Sequence, residues 1–180
     1  MDMKRTASGF TLPELLVTVA LAAVLAGVAA PNLAMFIKRS SVETQAQRLI
    51  GSIHLARSEA ARLNMAVTIC RSTTGNSCSN TSTWDQGWLI FADDNADGAI
   101  DADDDKVLRF IDSADTNFSI TPTNNYTNRI TFRATGDATT SGRLVICPAS
   151  GEEAYGREVI LNAVGRPRLH KGLTSDCSAS

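Results

Sequence analysis

The apolar positions change period twice along the chain. Residues 11–31, TLPELLVTVALAAVLAGVAAP, form an apolar run broken only by Glu14 and small hydroxyls. A helix needs about 20 such residues to cross a bilayer, so this run is long enough to span one. Farther on, Val42, Ala46, Leu49, Ile53, Ala56, Ala60 and Leu63 recur at steps of four and three. That spacing predicts one apolar stripe on an amphipathic helix, whose other face carries Lys38, Arg39, Glu43, Gln47, Arg57, Glu59 and Arg62. Together the two halves predict a helix over residues 10–64, 55 residues in all and about 80 Å long at 1.5 Å per residue. Its first half would lie in lipid and its second on a head domain. Pro13, Gly27 and Pro31 are the places where it can bend, and His54 reads as an ordinary side chain at its margin. After Asn64 the period shortens to that of strands: AVTIC (66–70), GWLIFA (87–92), KVLRFI (106–111), RITF (129–132), RLVIC (143–147) and REVIL (157–161). These six runs predict an antiparallel sheet or small sandwich with the helix on one face, an α+β class. The Ser, Thr and Asn-rich stretches at 71–84 and 113–128 read as surface loops.

The chain has 180 residues, enough for one head domain with an appendage. Its formal charge of -2 points to no partner, but the charge is unevenly spread. Residues 84–115 hold ten acidic and two basic side chains, whereas residues 129–180 hold seven basic and five acidic ones. Cys70, Cys78, Cys147 and Cys177 have no metal-ligand spacing. An even count in an exported chain suggests disulfides, and three pairings are open. Cys70 with Cys78 and Cys147 with Cys177 is favoured, because each pair closes a loop beside an expected strand. The sequence contains no nucleophile elbow, HExxH pair or phosphate loop, so an enzyme is not expected.

The start, MDMKRTASGF, is polar and basic, and its small-residue pair Ser8-Gly9 precedes the apolar run. An ordinary signal peptide has its cleavage site after that run. Glu14 is the second anomaly, since a carboxylate at membrane depth costs at least about 2.5 kcal/mol and calls for a partner. The basic leader, the Gly-Phe junction and TLPELL, with Glu14 fifth after the junction, resemble a class III prepilin signal. The resemblance implies that a prepilin peptidase cuts between Gly9 and Phe10 and methylates the new amino group. It also implies that Glu14 pairs with the terminal amine of a neighbouring subunit during assembly. The expected organisation is then a leader at 1–9, a transmembrane and assembly helix at 10–31, the amphipathic half at 32–64 and a β-rich head at 65–180. The chain would sit once through the bacterial inner membrane with a periplasmic head, and pass into a fibre at the cell surface.

Two segments of the head carry candidate chemistry. Asp93, Asn95, Asp97, Asp101 and Asp104 stand at positions 1, 3, 5, 9 and 12 of an EF-hand-like loop, with Gly98 at position 6 and the Ala99 carbonyl at position 7. Calcium is the one cofactor this suggests. The other reading is a solvated acidic hairpin, favoured by strand-like flanks and by Asp where a bidentate Glu is usual. The second segment is VGRPRLHK at 164–171, where Arg166 and Arg168 flank a stiffening Pro, with Lys171 close behind. Arginines on a rigid loop can each grip phosphate through a planar fork of donors. Such contacts bind without sequence preference. The other reading pairs both arginines with Glu152, Glu153 or Glu158.

The order of helix, Cys-loop-Cys, WDQGWLIFADDNADGAIDADDDKVLR and a late NAVGRPR resembles the GspH/FimT family of minor pilins and pseudopilins over nearly the whole chain. The resemblance implies a β-sandwich packed on the C-terminal half of the helix, with Trp84 and Trp88 as core or sheet-edge residues. Gly165, Arg166 and Arg168 match the GRxR pattern that the FimT branch associates with DNA capture in natural transformation. The expectation is a FimT-like minor pilin holding DNA non-specifically at Arg166 and Arg168, with Lys171 and either Arg143 or Arg157 widening the basic surface. Its other partners would be fellow pilins and the peptidase. The alternative is a structural minor pilin, or the pseudopilin H of a type II secretion system, that primes fibre assembly.

Overall fold

The long helix α1 (Leu12–Leu63) leads into the head. The computed structural model describes residues 11–101, 103–112, 117–123, 126, 128–174 and 177, except the side chains of residues 28, 30 and 31. Gly9 and Phe10, the expected processing residues, lie outside the described residues. The chain divides into two units, Met1–Ile37 and Lys38–Ser180. In the first, α1 is long and apolar enough to cross a membrane. Leu12, Leu16, Leu21, Leu25 and Phe36 are exposed along it. Pro13 falls in the first turn, where its missing N–H has no intrahelical acceptor to lose, and Glu14 is exposed there too.

In the second unit the apolar stripe of α1 is the floor of the core. Val42, Ala46, Leu49, Ile53, Ala56 and Ala60 are each 0% exposed, whereas Leu63, the last residue of the helix, is half-buried. Asn64 then takes a left-handed φ of 55°. Asparagine tolerates that conformation, and it turns the chain out of the helix. Among the described residues eight strands follow: β1 (Ala66–Arg71), β2 (Gly87–Asp93), β3 (Lys106–Asp112), β4 (Phe118–Thr123), β5 (Arg129–Phe132), β6 (Gly142–Pro148), β7 (Arg157–Leu161) and β8 (Pro167–Lys171). They form two antiparallel sheets, ordered β3-β2-β1-β5 and β4-β6-β7-β8. Val67, Ile69, Trp88, Ile90, Ile130 and Phe132 from the first sheet meet Phe118, Ile120, Leu144, Ile146, Val159 and Leu161 from the second, and the α1 stripe joins the same cluster. Among the described residues every buried hydrophobic side chain lies at or after Val42, so residues 38–180 hold a core of their own, as a unit that folds alone requires.

The outer face of the first sheet is covered as well. Cys70, Leu89 and Phe91 form a second cluster there, under Cys78, Ile100 and Phe110. All seven residues of β2 are therefore buried, which is why its run is apolar on both faces rather than alternating. The indole N–H groups that enter the interior find acceptors. Trp88 Nε1 donates to Ser52 Oγ at 2.9 Å and Trp84 Nε1 to the Tyr126 carbonyl at 3.0 Å.

Two strands correct the reading from sequence. Residues 118–123 and 167–171 were both expected to be loop, yet each pairs as an edge strand of the second sheet. Each contains a proline, which an edge position accommodates because one side of the strand has no ladder to complete. The cysteines form the two favoured bridges, Cys70–Cys78 and Cys147–Cys177, with Cα atoms 5.6 and 5.8 Å apart.

Candidate functional site

The Arg-rich segment forms the turn and outgoing strand of the β7–β8 hairpin. Asn162 organises it twice: its carbonyl accepts the Gly165 amide at 2.9 Å and its side-chain Oδ1 accepts the Arg166 amide at 3.0 Å. Gly165 has a φ of 77°, and a Cβ on it would stand 2.5 Å from the Gly136 carbonyl oxygen. Only glycine fits there. The Ala138 amide donates to the Ala163 carbonyl at 3.0 Å, so the turn is docked on the segment between β5 and β6. That segment is itself held by Arg57 of α1, whose Nε donates to the Gly136 carbonyl at 2.9 Å.

On this docked hairpin Arg166 and Arg168 are both exposed. Among the described residues neither guanidinium has a hydrogen bond or ion pair. Of the three glutamates that could have paired with them, Glu152 and Glu158 are engaged elsewhere, and Glu153 is exposed and pairs with neither. Glu152 takes Lys38 at 2.9 Å. Glu158, fully buried, takes Arg143 at 3.6 Å and the Thr174 amide at 2.6 Å. Arg168 stands opposite Ile160, and Ile160 stands opposite Arg143. Arg143 and Arg168 thus share the outer face of the second sheet, with β7 between them.

The structure separates the other expected contributors. Lys171 pairs in register with Arg157, and side chains alternate along a strand, so it belongs to the opposite face from Arg168. Arg157 is no part of a basic surface. Its side chain is 6% exposed and its Nε donates to Glu43 at 2.9 Å, which ties β7 to α1. His170 is exposed and its Nδ1 lies 3.1 Å from the Gly172 carbonyl.

The acidic loop between β2 and β3 is knitted mostly to itself. Asn95 Nδ2 donates to Asp97 and Asp101, and Asp97 Oδ1 accepts the Ala99 amide at 2.7 Å. Asp105 accepts the Asp94 and Asp101 amides. It is therefore Asp105, rather than Asp104 at the twelfth position, that folds back to close the loop. No group of three or more acidic, His or Cys side chains converges as a metal would require among the described residues. Arg129 crosses the loop and donates to the Asp97 carbonyl at 2.5 Å.

Asp93 is the exception in being fully buried. Its Oδ2 accepts from Thr68 Oγ1 at 2.6 Å and the Gly98 amide at 3.1 Å, and its Oδ1 has no partner among the described residues. Burial pushes its pKa above the ordinary 3.8, with Asp105 and Asp97 adding repulsion against the two hydrogen bonds. A raised carboxyl binds its proton more tightly in the folded than in the unfolded chain. Its ionisation therefore costs stability progressively as pH rises through the interval above 3.8. Asp93→Asn is expected to remove that term, so that the variant gains on the wild type between about pH 3 and neutrality. Urea unfolding at several pH values reads it, and a constant difference across that range would refute it.

The comparisons with known proteins agree with this architecture. A family model described as type II transport protein GspH matches residues 45–165, and one described as the prokaryotic N-terminal methylation motif matches residues 4–30. Among solved structures the chain is similar to the type IV minor pilin FimU of Pseudomonas aeruginosa in two crystal forms. The P21 form has a TM-score of 0.61 at 23% identity, over 79% of this chain and 99% of that one. The P65 form has a TM-score of 0.57 at 23% identity, over 76% and 99%. The minor pseudopilin EpsH of the Vibrio cholerae type 2 secretion system overlaps with a TM-score of 0.46 at 14% identity, over 72% and 96%. No curated protein matches the chain.

Proposed function

Since the chain belongs to the GspH family and has a type IV pilin fold, we propose that it is a minor type IV pilin whose β7–β8 hairpin holds DNA by its phosphates for uptake. The observation that carries this reading is the pair of exposed arginines, Arg166 and Arg168, left without an acidic partner among the described residues on a hairpin docked against the segment between β5 and β6. An unpaired guanidinium presents its donor fork at no cost of breaking a bridge first. The contacts would be to phosphate, so binding is non-specific and falls steeply with salt. A single head makes few contacts and binds weakly, and several heads on one fibre compensate by avidity. In this reading the leader is removed at Gly9–Phe10, Glu14 meets the terminal amine of a neighbouring pilin, and the head stands outside the inner membrane until the fibre is built. The methylation motif supports that route.

The test is a mobility-shift titration of duplex DNA with residues 38–180, comparing wild type with Arg166→Ala/Arg168→Ala over a range of salt. Both side chains are exposed, so the double variant is expected to melt as the wild type does. Its salt slope should fall by about 1.8, from two lost contacts at about 0.9 each. If the wild type does not bind, or the two bind alike, the DNA reading is wrong.

A second reading is favoured by the description of the matching family model, type II transport protein GspH. The same head, anchor and Glu14 would then serve a subunit that primes fibre assembly without binding DNA. Secretion genes beside this one, together with no DNA shift, would select it.

A further inference from the structure

The hairpin arginines are not alone at that end of the head. Arg57, on the polar face of α1, lies against the same turn: a Cβ on Gly165 would come within 3.4 Å of its Nε. Its Nε is committed to the Gly136 carbonyl, but both terminal nitrogens lack a partner among the described residues. Two acids beside these segments in sequence, Glu59 on α1 and Asp137 next to Gly136, are occupied. Glu59 takes Arg62 at 2.5 Å, and Asp137 takes Arg133 at 2.6 Å. Arg57 also lines an open cleft of about 530 Å³ between α1 and the segment after β5, bounded by His54, Leu55, Ser58, Thr135 and Gly136. Gly136 is the shared wall: its carbonyl meets Gly165 on one side and it lines the cleft on the other.

We infer that Arg57 is a third phosphate contact, and that the anion-binding surface runs from the β7–β8 hairpin across Gly136 into this cleft. The inference rests on the DNA reading of the hairpin. A guanidinium has five donors in a fixed fork. Anchoring Nε on a carbonyl fixes the guanidinium plane and reduces the rotamer freedom lost when the remaining donors meet a phosphate. The arrangement joins two elements far apart in sequence, since Arg57 and Gly136 are separated by 79 residues. A backbone lying along this surface would touch the helix and the hairpin at once.

Arg57→Gln in residues 38–180 tests it, because the Gln amide can still donate towards the Gly136 carbonyl while the charge is gone. The melting temperature is expected to stay close to that of the wild type. Affinity for a duplex should fall about fivefold at 0.15 M salt, and the salt slope by about 0.9, the counterion release of one contact. The same decrement should appear on top of Arg166→Ala/Arg168→Ala. If Arg57→Gln is too unstable to assay, Arg57→Lys takes its place: a wild-type slope supports a charge contact, and a lost slope overturns it. A folded Arg57→Gln head with wild-type slope and affinity overturns the inference while leaving the hairpin reading intact. A wild type that binds no DNA overturns both.

Discussion

Trp88→Ala is expected to destabilise the head by about 3–5 kcal/mol, the range for truncating a large buried aromatic side chain. For a domain of this size that corresponds to a melting temperature lower by roughly 10–15 °C. Trp88 is fully buried on a central strand and pairs across with Ile111 on one side and Arg71 on the other. Its indole reaches over to α1, where Ser52 accepts its N–H. Removing it opens a cavity at the contact between helix and sheet. The polar loss is small by comparison, because the Ser52 hydroxyl still donates to the Arg48 carbonyl at 2.9 Å. Trp88→Phe keeps most of the apolar contact and should cost about 1–2 kcal/mol. Urea unfolding of the three proteins separates the terms. An alanine variant within about 1 kcal/mol of the wild type would show that Trp88 does not carry this contact.

The parts of the fold that were legible in the sequence are those with a clean period or an uninterrupted apolar run. The α1 stripe was readable because six of its positions, Val42 to Ala60, are fully buried, and burying one helix face requires apolar residues at that regular spacing. The β2 run was readable because both of its faces are covered. β4 and β8 were not, because each is an edge strand with one working face. In β8 only Leu169 packs on the core, and Pro167, Arg168, His170 and Lys171 around it carry the vocabulary of a loop. Seen as a strand, β8 divides the cations: Arg168 goes to one face and Lys171 to the other, which no count of charges along the chain could tell. Arg157 was misread for the same reason. At the start of β7 it faces inward, and Glu43 of α1 meets it there.

The acidic loop shows the limit of motif spacing. Counting from Asp93 puts Asp104 in the closing place, but backbone amides rather than a counted template decide which carboxylate turns inward, and the Asp94 and Asp101 amides take Asp105. Arg57 shows another limit. On a helical wheel it is one more polar residue, and nothing local marks it as adjoining Gly165. Only the packing of the segment after β5 against α1 brings the two together.

Gly165→Ala is the substitution expected to connect fold and function most directly, and Gly151→Ala isolates its cause. Both glycines have left-handed φ, 77° and 74°. A side chain in that region costs about 1–2 kcal/mol by itself. At Gly151 a Cβ would meet nothing within 4 Å, so this strain is the whole expected effect. At Gly165 the Cβ would also stand 2.5 Å from the Gly136 carbonyl, a backbone atom that cannot rotate aside. Overpacking of that kind adds about 1–3 kcal/mol, for a total of roughly 2–5 kcal/mol by the sum of the two terms. The protein can avoid part of that cost by letting the hairpin lift from the segment it is docked on, which stretches the bond between the Ala138 amide and the Ala163 carbonyl and shifts Arg166 and Arg168 relative to Arg57. Gly165→Ala should therefore lose DNA affinity although every cation is retained, whereas Gly151→Ala should bind as the wild type does. Parallel melting and mobility-shift titrations of the two variants decide the matter. If they bind alike, the rigid docking of the hairpin has no part in holding DNA; if only Gly165→Ala is impaired, the arginines act through their placement and not through charge alone.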